Sequence, residues 1–225
     1  MGKGVFITGT STDAGKTYIS SLIVKSMREN GYNCGYFKPV LTGVEIKNNN
    51  IYMADIEYVK KISGLDYSSL ELVSYYYKYP ASAHLSSRLE NRVINIDKIL
   101  LDYKQLLSTF DYLVVEGIGG IICPYIYEKD NVLMQEDVIK LLNIPAVLVC
   151  RLKLGVINSS LLSINYAKSM DININTLVFN MYQKDIIYDD SINLIKSVSK
   201  IENIILVQDN VYNLNIENIK RMFIQ

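Results

Sequence analysis

The residue types best suited to chemistry lie close together near the start of the chain. Residues 9–17 read Gly-Thr-Ser-Thr-Asp-Ala-Gly-Lys-Thr and follow a short apolar run. Backbone N–H groups of such a turn can wrap a phosphate, Lys16 can add a point charge, and the Thr17 hydroxyl can ligate Mg²⁺. The usual pattern places glycine where Thr10 stands, and here Gly9 lies one residue earlier. The alternative interpretation is a glycine-rich turn that only caps a helix.

Two acidic residues are candidates for the metal that accompanies a phosphate. Glu116 ends the apolar run that starts at Asp111, and Gly-Ile-Gly-Gly follows it. An unbroken apolar run predicts a central parallel strand, which would deliver Glu116 to the carboxyl edge of the sheet beside the loop. Asp55 lies in the first turn of a predicted helix, where it would either stabilise the helix dipole or bind the metal.

Lys38 follows a predicted strand over 34–37, and Pro39 is expected to end that strand. This places a cation in the crevice where open parallel sheets bind ligands, although a solvated lysine at the strand edge fits equally well. His84 is the sole histidine. It has no serine, cysteine or acid at a telling spacing, so a structural histidine is expected.

These residues need a scaffold, and the hydrophobic pattern predicts one of alternating strands and helices. Strands are predicted at 5–7, 34–37, 111–116, 146–150, 176–179 and 204–207. Residues 70–77 are predicted as a strand or an extended packing segment, because three consecutive tyrosines blur the period. Helices are predicted from 17 to the Asn30-Gly31 stop and at 53–62, 96–107, 135–142, 156–170, 189–198 and 216–223, with a mobile surface loop at 42–50. The alternation is typical of an α/β fold with a doubly wound, mostly parallel sheet. We expect one domain over residues 1–225.

Composition narrows the classes of partner. The chain carries 23 basic and 23 acidic residues without a block of like charge, so neither nucleic acid nor an anionic membrane is expected as a partner. The three cysteines are scattered, which fits reduced thiols and a cytoplasmic protein. No apolar run approaches the roughly 18 residues of a membrane span, and the first strand begins too early for a signal peptide.

Taken together, five blocks resemble the dethiobiotin synthetase family within the P-loop NTPase superfamily. The blocks are Gly9-Thr-x-Thr-x-x-Gly-Lys-Thr17, Lys38-Pro-Val-x-Thr-Gly43, Asp55, Glu116-Gly-x-Gly-Gly120 and Lys153-Leu-Gly-x-Ile-Asn158. The resemblance implies an ATP-dependent ligase that closes a cyclic urea from 7,8-diaminononanoate and CO₂ through a carbamate and a carbamic-phosphoric anhydride. It also implies a homodimer, because the Lys153–Asn158 block of family members approaches the substrate from the neighbouring subunit.

The resemblance assigns roles to individual residues. The implied catalytic residues are Lys38, Lys16 and Thr12. The implied nucleotide contacts are Asp13, Ala14, Gly15, Lys16, Thr17, Tyr18, Asp55, Glu116, Gly117, Gly119 and Asn180. The implied substrate contacts are Thr42, Gly155, Val156, Ile157 and Asn158. The implied Mg²⁺ ligands are Thr17, Asp55 and Glu116.

Some positions depart from the family pattern or leave alternatives open. Thr42 stands where serine is usual, and Ala83 stands where a proline is common before the histidine. Asn180 matches the base-reading asparagine, so ATP is favoured and GTP stays possible. After the last strand the chain lacks the proline-containing element that helps to hold the base in relatives, which leaves the base contacts there open. Gly155 and Asn158 have a simpler interpretation as a strand-to-helix turn.

A regulatory or partitioning ATPase of the same superfamily is the alternative function. Such switches usually carry a second lysine early in the loop, where this chain has Thr10, Ser11 and Thr12, and no basic amphipathic helix is found at either terminus. A third possibility is an amidoligase relative, which would normally bring a glutaminase domain. The 225 residues leave no room for that domain.

Overall fold

A computed structural model describes residues 2–47 and 50–224. Its strands are β1 (Lys3–Gly9), β2 (Cys34–Thr42), β3 (Glu45–Lys47), β4 (Asn50–Tyr52), β5 (Val73–Tyr77), β6 (Tyr112–Glu116), β7 (Pro124–Glu128), β8 (Asn131–Met134), β9 (Ala146–Arg151), β10 (Ile174–Asn180) and β11 (Asn203–Val207). Its helices are α1 (Lys16–Glu29), α2 (Ala54–Ser63), α3 (Ala83–Leu89), α4 (Ile96–Thr109), α5 (Gln135–Leu142), α6 (Val156–Ser169), α7 (Ile186–Ser199) and α8 (Ile216–Met222).

Seven strands form one sheet in the order β11-β10-β9-β1-β6-β2-β5, and every pair in it is parallel. The prediction of a doubly wound parallel sheet is confirmed. From β1 the chain moves outward to β2 and β5, returns to β6, and then continues to β9, β10 and β11 on the other side. Crossovers between parallel strands are right-handed. Helices that connect strands toward β5 therefore lie on one face of the sheet, and helices that connect strands toward β11 lie on the other. Accordingly, α1 packs against α2 and α8, and α6 packs against α7.

The central strands carry uninterrupted apolar runs because both faces of the sheet are covered there. Val5, Phe6 and Ile7 of β1 are completely buried, as are residues 113–115 of β6 and 146–150 of β9. These side chains belong to one continuous hydrophobic core. That continuity supports the single domain proposed over residues 1–225.

The expected end of β2 at Pro39 is wrong. The strand pairs with β6 over Cys34–Phe37 and then with β5 from Lys38 to Thr42. Pro39 falls between the paired positions Lys38 and Val40, so it removes one donor without ending the strand. The continuation carries Lys38 inside the sheet, where it is only 3% exposed, rather than leaving it at a strand edge.

Two short ribbons and a helix lie outside the predicted elements. Strands β3 and β4 form an exposed antiparallel ribbon within the expected loop, of which residues 48 and 49 lie outside the described residues. Strands β7 and β8 form a second antiparallel ribbon, and α3 carries His84. Strands of three to five residues show little periodicity in sequence, so neighbouring structure decides them.

Two expectations from composition can be compared with the structure. Cys34, Cys123 and Cys150 are all free thiols, and the first and last of these are buried. Among the described residues, no helix combines the length and the apolar character that crossing a membrane requires.

Close packing of β2 against the residue that follows α4 generates a test of the fold. A Cβ at Gly35 would lie 2.3 Å from the Phe110 ring, which is 2% exposed and cannot easily move. We expect Gly35→Ala to lower the free energy of unfolding by about 1–3 kcal/mol through overpacking. Urea titration followed by circular dichroism measures this. At Gly120 the nearest atom would be 3.5 Å away, so Gly120→Ala is the matched control and should stay close to the parent. Equal stability of the two variants would contradict the packing argument.

Candidate active site

The loop after β1 has the strand–loop–helix setting that phosphate binding requires. A single 3-10 turn over Thr12–Ala14 leads to Gly15, and α1 then begins at Lys16. Gly15 adopts a φ of +95°, and a Cβ there would lie 2.1 Å from the Asn180 side-chain nitrogen. Both facts require glycine at this position. The free N–H groups at the start of α1 therefore face the loop, where they can bind an anion.

Lys16 is almost completely buried in the loop. Its Nζ donates to the backbone oxygen of Gly119 at 2.6 Å and to those of Ser11 and Thr12 at 3.2 Å each. Burial lowers the pKa of Lys16 to about 8, against a smaller opposing effect of the Glu116 carboxylate. Within the described part of the chain, no carboxylate forms a salt bridge with it. Lys16 thus presents a weakly compensated positive charge to whatever anion the loop binds.

Glu116 is the centre of a buried polar cluster at the end of β6. Its side chain has no exposed surface. Its Oε1 accepts hydrogen bonds from Lys38 Nζ at 2.6 Å and from Thr17 Oγ1 at 2.7 Å, and its Oε2 accepts one from the Tyr36 hydroxyl at 2.9 Å. Three neighbouring elements, β2, β6 and α1, therefore meet at a single carboxylate.

Lys38 joins both predicted acids. Its Nζ lies 2.6 Å from Asp55 Oδ2 as well as 2.6 Å from Glu116 Oε1. Burial by itself would lower the pKa of Lys38, but the Glu116 and Asp55 carboxylates outweigh it and hold that pKa above its usual value. The structure thus brings Thr17, Lys38, Asp55 and Glu116 into one cluster, in which Lys38 pairs with both acids.

Tyr36 is a site residue that sequence reasoning missed. It precedes Lys38 by two positions on β2, which places both side chains on the same face of the strand. Its ring is fully buried, and a buried tyrosine hydroxyl needs a partner. The i, i+2 spacing was therefore a signal, but it could not identify Glu116 as the acceptor.

The donor set fits Mg²⁺. Thr17, Asp55 and Glu116 offer only oxygen atoms, which this ion prefers, and Mg²⁺ typically uses one or two carboxylates together with substrate phosphates. No group of three or more His, Cys, Asp or Glu residues suited to a metal occurs among residues 2–47 and 50–224. Two carboxylates and a hydroxyl beside a phosphate loop therefore suit Mg²⁺ better than zinc, whose structural sites use mainly cysteine and histidine.

A cavity of about 780 Å³ opens beside the loop and has the size of a small-molecule site. Its lining includes Asp13, Gly15, Tyr18, Asn180 and residues 209–212. Asn180 ends β10; its side chain donates to Ala14 O at 3.0 Å and accepts from the Met181 N–H at 3.0 Å. The Tyr18 hydroxyl donates to Val211 O at 3.0 Å. The segment after β11 therefore forms one side of the cavity.

The remaining predicted residues occupy different places. The Thr12 side chain is exposed, and its backbone oxygen accepts from Lys16. Gly119 holds Lys16 through its carbonyl, and Thr42 lies at the end of β2. Gly155 has a φ of +92° and precedes α6, whose first turn contains the buried Val156 and the more accessible Ile157 and Asn158.

The 155–158 segment borders a groove of about 450 Å³. This groove shares no lining residue with the cavity beside the phosphate loop. Leu154 at its rim is 97% exposed, and Leu162 and Ile187 are more than half exposed. The 155–158 segment and the residues beside the phosphate loop therefore border two separate surfaces.

The chain is similar to known proteins along most of its length. Residues 3–210 match the family described as AAA domain. A protein of Clostridium botulinum (strain Alaska E43) named ATP-dependent dethiobiotin synthetase BioD is 45% identical over 185 residues, which cover 82% of this chain and 81% of that protein. A protein of the same name from Brachyspira hyodysenteriae is 38% identical over 224 residues, covering 99% of this chain and 100% of its own.

Solved structures share the architecture at much lower identity. A putative plasmid partition protein of Borrelia burgdorferi bound to AMPPNP has a TM-score of 0.56 at 12% identity, covering 99% of this chain and 98% of that chain. The Aquifex aeolicus MinC:MinD cell division complex gives a TM-score of 0.55 at 16% identity, covering 98% and 86%. These likenesses show the fold alone.

The buried cluster generates a stability prediction. Glu116→Gln removes the negative charge that faces Lys38 and should lower the free energy of unfolding by about 3 kcal/mol, because a buried cation loses its main partner. The Asp55 side chain is 37% exposed, so Asp55→Asn should cost about 1 kcal/mol or less. Denaturant titrations of both variants measure the difference.

A double variant supplies the control for that prediction. Lys38→Met combined with Glu116→Gln removes both charges, so its loss should be smaller than the sum of the two single losses. Additive losses would show that Lys38 and Glu116 do not depend on each other.

Proposed function

This chain belongs to the ATP-dependent dethiobiotin synthetase family and is an ATP-dependent ligase of biotin biosynthesis; we propose that it joins CO₂ to 7,8-diaminononanoate at the cluster around Lys38. The observation that carries the proposal is that one buried lysine contacts both Asp55 and Glu116 beside a phosphate loop. The reaction handles several anions in succession, and a site built from fixed cations and backbone donors is suited to that.

In the proposed sequence, the N7 amine of the substrate and CO₂ form a carbamate with loss of a proton. A carbamate oxygen then attacks the γ-phosphorus of ATP, and ADP leaves. The second amine attacks the carbonyl carbon of the mixed anhydride, inorganic phosphate leaves, and the ring closes. Phosphoryl transfer depends mainly on positioning and on stabilisation of charge. Lys16, Lys38 and the loop N–H groups supply both.

We assign Lys16 to ATP and Lys38 to the reacting groups. Lys16 borders the loop, and its longer contacts to the Ser11 and Thr12 carbonyls, at 3.2 Å each, can be exchanged for phosphate oxygens while the Gly119 contact at 2.6 Å is kept. Lys38 is held at the carboxyl edge by Glu116 and Asp55, so its ammonium is already oriented before substrate arrives. Thr12 would contact the reacting phosphate, and the Thr42 hydroxyl would hydrogen-bond a substrate amine or the carbamate.

Thr17, Asp55 and Glu116 would hold Mg²⁺. When bound, the ion would neutralise phosphate charge and orient the oxygen atoms. Of the remaining nucleotide contacts, Asp13, Ala14, Gly15, Tyr18, Gly117 and Gly119 would surround the phosphates and sugar. Asn180 would bind the base through the second hydrogen of its amide and a remaining lone pair, since each group already has one backbone partner. The amide suits adenine, so ATP is the proposed nucleotide.

We place the substrate carboxylate at Gly155, Val156, Ile157 and Asn158. N–H groups at the start of a helix lack helical partners and attract an anion without a lysine or arginine. At α6 the Val156 N–H already donates to Lys153 O at 3.0 Å, so the neighbouring N–H groups would bind the carboxylate. In this chain the segment is separate from the nucleotide cavity, and exposed Leu154, Leu162 and Ile187 surround it. Clustered exposed apolar side chains are typical of an interface. A two-fold homodimer would cover them and bring the segment to the neighbour's site.

The alternative of a partitioning switch is not favoured, because the relatives with substantial identity are named as synthetases and the likeness to partition proteins is confined to the fold. The free cysteines agree with a reducing cytoplasm as the location.

The central test measures phosphate release from ATP and formation of dethiobiotin, with diaminononanoate, bicarbonate and Mg²⁺ each omitted in turn. Turnover should require all three. Lys16→Ala should weaken ATP binding and abolish turnover, whereas Lys38→Ala should leave ATP binding nearly unchanged and lower kcat at least 100-fold, because its contacts strengthen in the transition state.

Lys98→Ala is a matched control, since Lys98 lies on α4, pairs with Asp102 and does not line the nucleotide cavity. It should retain near-parental kcat. Substrate-independent ATP hydrolysis would count against the synthetase, and a normal kcat in Lys38→Ala would remove that residue from the mechanism.

Subunit mixing tests the shared site. Asn158→Ala should raise KM for the diamino acid about tenfold while ATP affinity stays near normal, because only the carboxylate contact is weakened. In a heterodimer of Lys38→Ala and Asn158→Ala subunits, one site receives both lesions and the other receives neither. Activity at low substrate should therefore recover to about half of the parent. Verified heterodimers without recovery, or a fully active monomer, would rule out a site built across the interface.

A further inference from the structure

Gln135, the first residue of α5, is a completely buried polar side chain. Its Oε1 accepts from the Ile118 N–H at 2.7 Å, and its Nε2 donates to Gly120 O at 2.8 Å and to Thr8 Oγ1 at 3.2 Å. Its own N–H donates to Cys123 O at 2.8 Å. Every polar group of this side chain therefore has a partner, and two of the three partners belong to the turn that follows Glu116.

These hydrogen bonds lie on both sides of Gly119. Ile118 precedes it and Gly120 follows it, and the Gly119 carbonyl is the nearest partner of Lys16 Nζ, at 2.6 Å. At the start of the same turn, the Gly117 N–H donates to Ile7 O at 3.0 Å, which fixes the turn to β1. Gln135 thus holds the turn at Ile118 and Gly120, beyond the hydrogen bond that joins Gly117 to β1.

The glycine after Glu116 is explained by the same contact. A Cβ at Gly117 would lie 2.3 Å from Gln135 Oε1 and 2.7 Å from the Phe6 ring. The Gly117 backbone and the Gln135 side chain are therefore closely packed, and a larger side chain at position 117 would displace the Gln135 amide.

We propose that Gln135 is a positioning residue for the reaction: it holds the 117–120 turn so that Gly119 orients Lys16 toward the phosphates. It contacts neither the nucleotide nor the metal ligands and acts only through the turn. The inference rests on the proposed role of Lys16 in binding ATP. A primary amide suits this task because it supplies one acceptor and two donors, whereas an ionised glutamate has no donor for Gly120 O.

The experiment measures affinity for an ATP analogue with a non-hydrolysable β–γ linkage, by calorimetry well below the melting temperature of each full-length variant. Gln135→Met keeps the length of the side chain and loses all three hydrogen bonds. We expect the analogue to bind about tenfold more weakly. Gln135→Glu should weaken it at least as much, because its carboxylate faces the Gly120 carbonyl oxygen.

Asn203→Leu is the matched control. Asn203 is also a buried amide and lies on β11, away from the phosphate loop. Its side chain donates to Thr176 Oγ1 at 2.8 Å and to Asn218 O at 3.0 Å. The Asn203→Leu variant should be less stable than the parent but should bind the analogue with the same affinity. Equal loss of affinity in Asn203→Leu and Gln135→Met would overturn the proposal, since the effect would then reflect stability alone.

A combined variant separates this proposal from the proposed function. If Gln135 acts through Lys16, then Lys16→Ala with Gln135→Met should bind no more weakly than Lys16→Ala alone. Additive losses would overturn the positioning role while leaving Lys16 as an ATP contact. An unchanged affinity in Lys16→Ala would instead reject the nucleotide role on which the inference rests. If Gln135→Met does not fold, Gln135→Glu, which keeps the shape of the side chain, carries the test, and parental affinity there would contradict the proposal.

Discussion

A carboxylate without solvent contact is the constraint on which this site depends. Removing an ionised group from water costs far more than one hydrogen bond returns, so Glu116 requires several partners at once. It receives an ammonium from Lys38, a hydroxyl from Thr17 and a second hydroxyl from Tyr36. Because those groups come from β2 and α1, meeting the requirements of one side chain fixes the relative position of three elements.

The sheet makes this meeting possible. β6 lies between β1 and β2, and all three run in the same direction, so their carboxyl ends reach one edge together. The phosphate loop follows β1 at that edge, and the glycine turn follows β6. Lys38 lies on β2 beside the end of β6. Lys38 and Glu116 are therefore 78 positions apart in the sequence, yet they are in contact because β2 and β6 are neighbours in the sheet.

The two lysines solve different electrostatic problems. Lys38 has carboxylate partners that outweigh the effect of burial on its pKa, so its charge is secure within the protein. Lys16 has only backbone oxygens as direct partners, and burial lowers its pKa to about 8. A bound phosphate would be the anionic partner that is missing from the contacts of Lys16 and would raise its pKa. A loop arranged in this way favours an anionic ligand, and the rigid turn behind it keeps the lysine in place.

The sequence by itself determined the elements with strong local signals. Six strands of the main sheet were predicted from apolar runs, because such runs report burial directly, and β5 was predicted as a strand or an extended segment. The phosphate loop, Lys38 and Glu116 were singled out because each directly follows an apolar run, and Asp55 because it lies in the first turn of a helix. Only the tertiary structure decided that β2 continues past Pro39, that α3 and the two ribbons form, and that Tyr36 and Gln135 serve the site. Gln135 bonds to Thr8, 127 positions away, and such a pairing leaves no local pattern. Its partners exist only once the strands have been brought together.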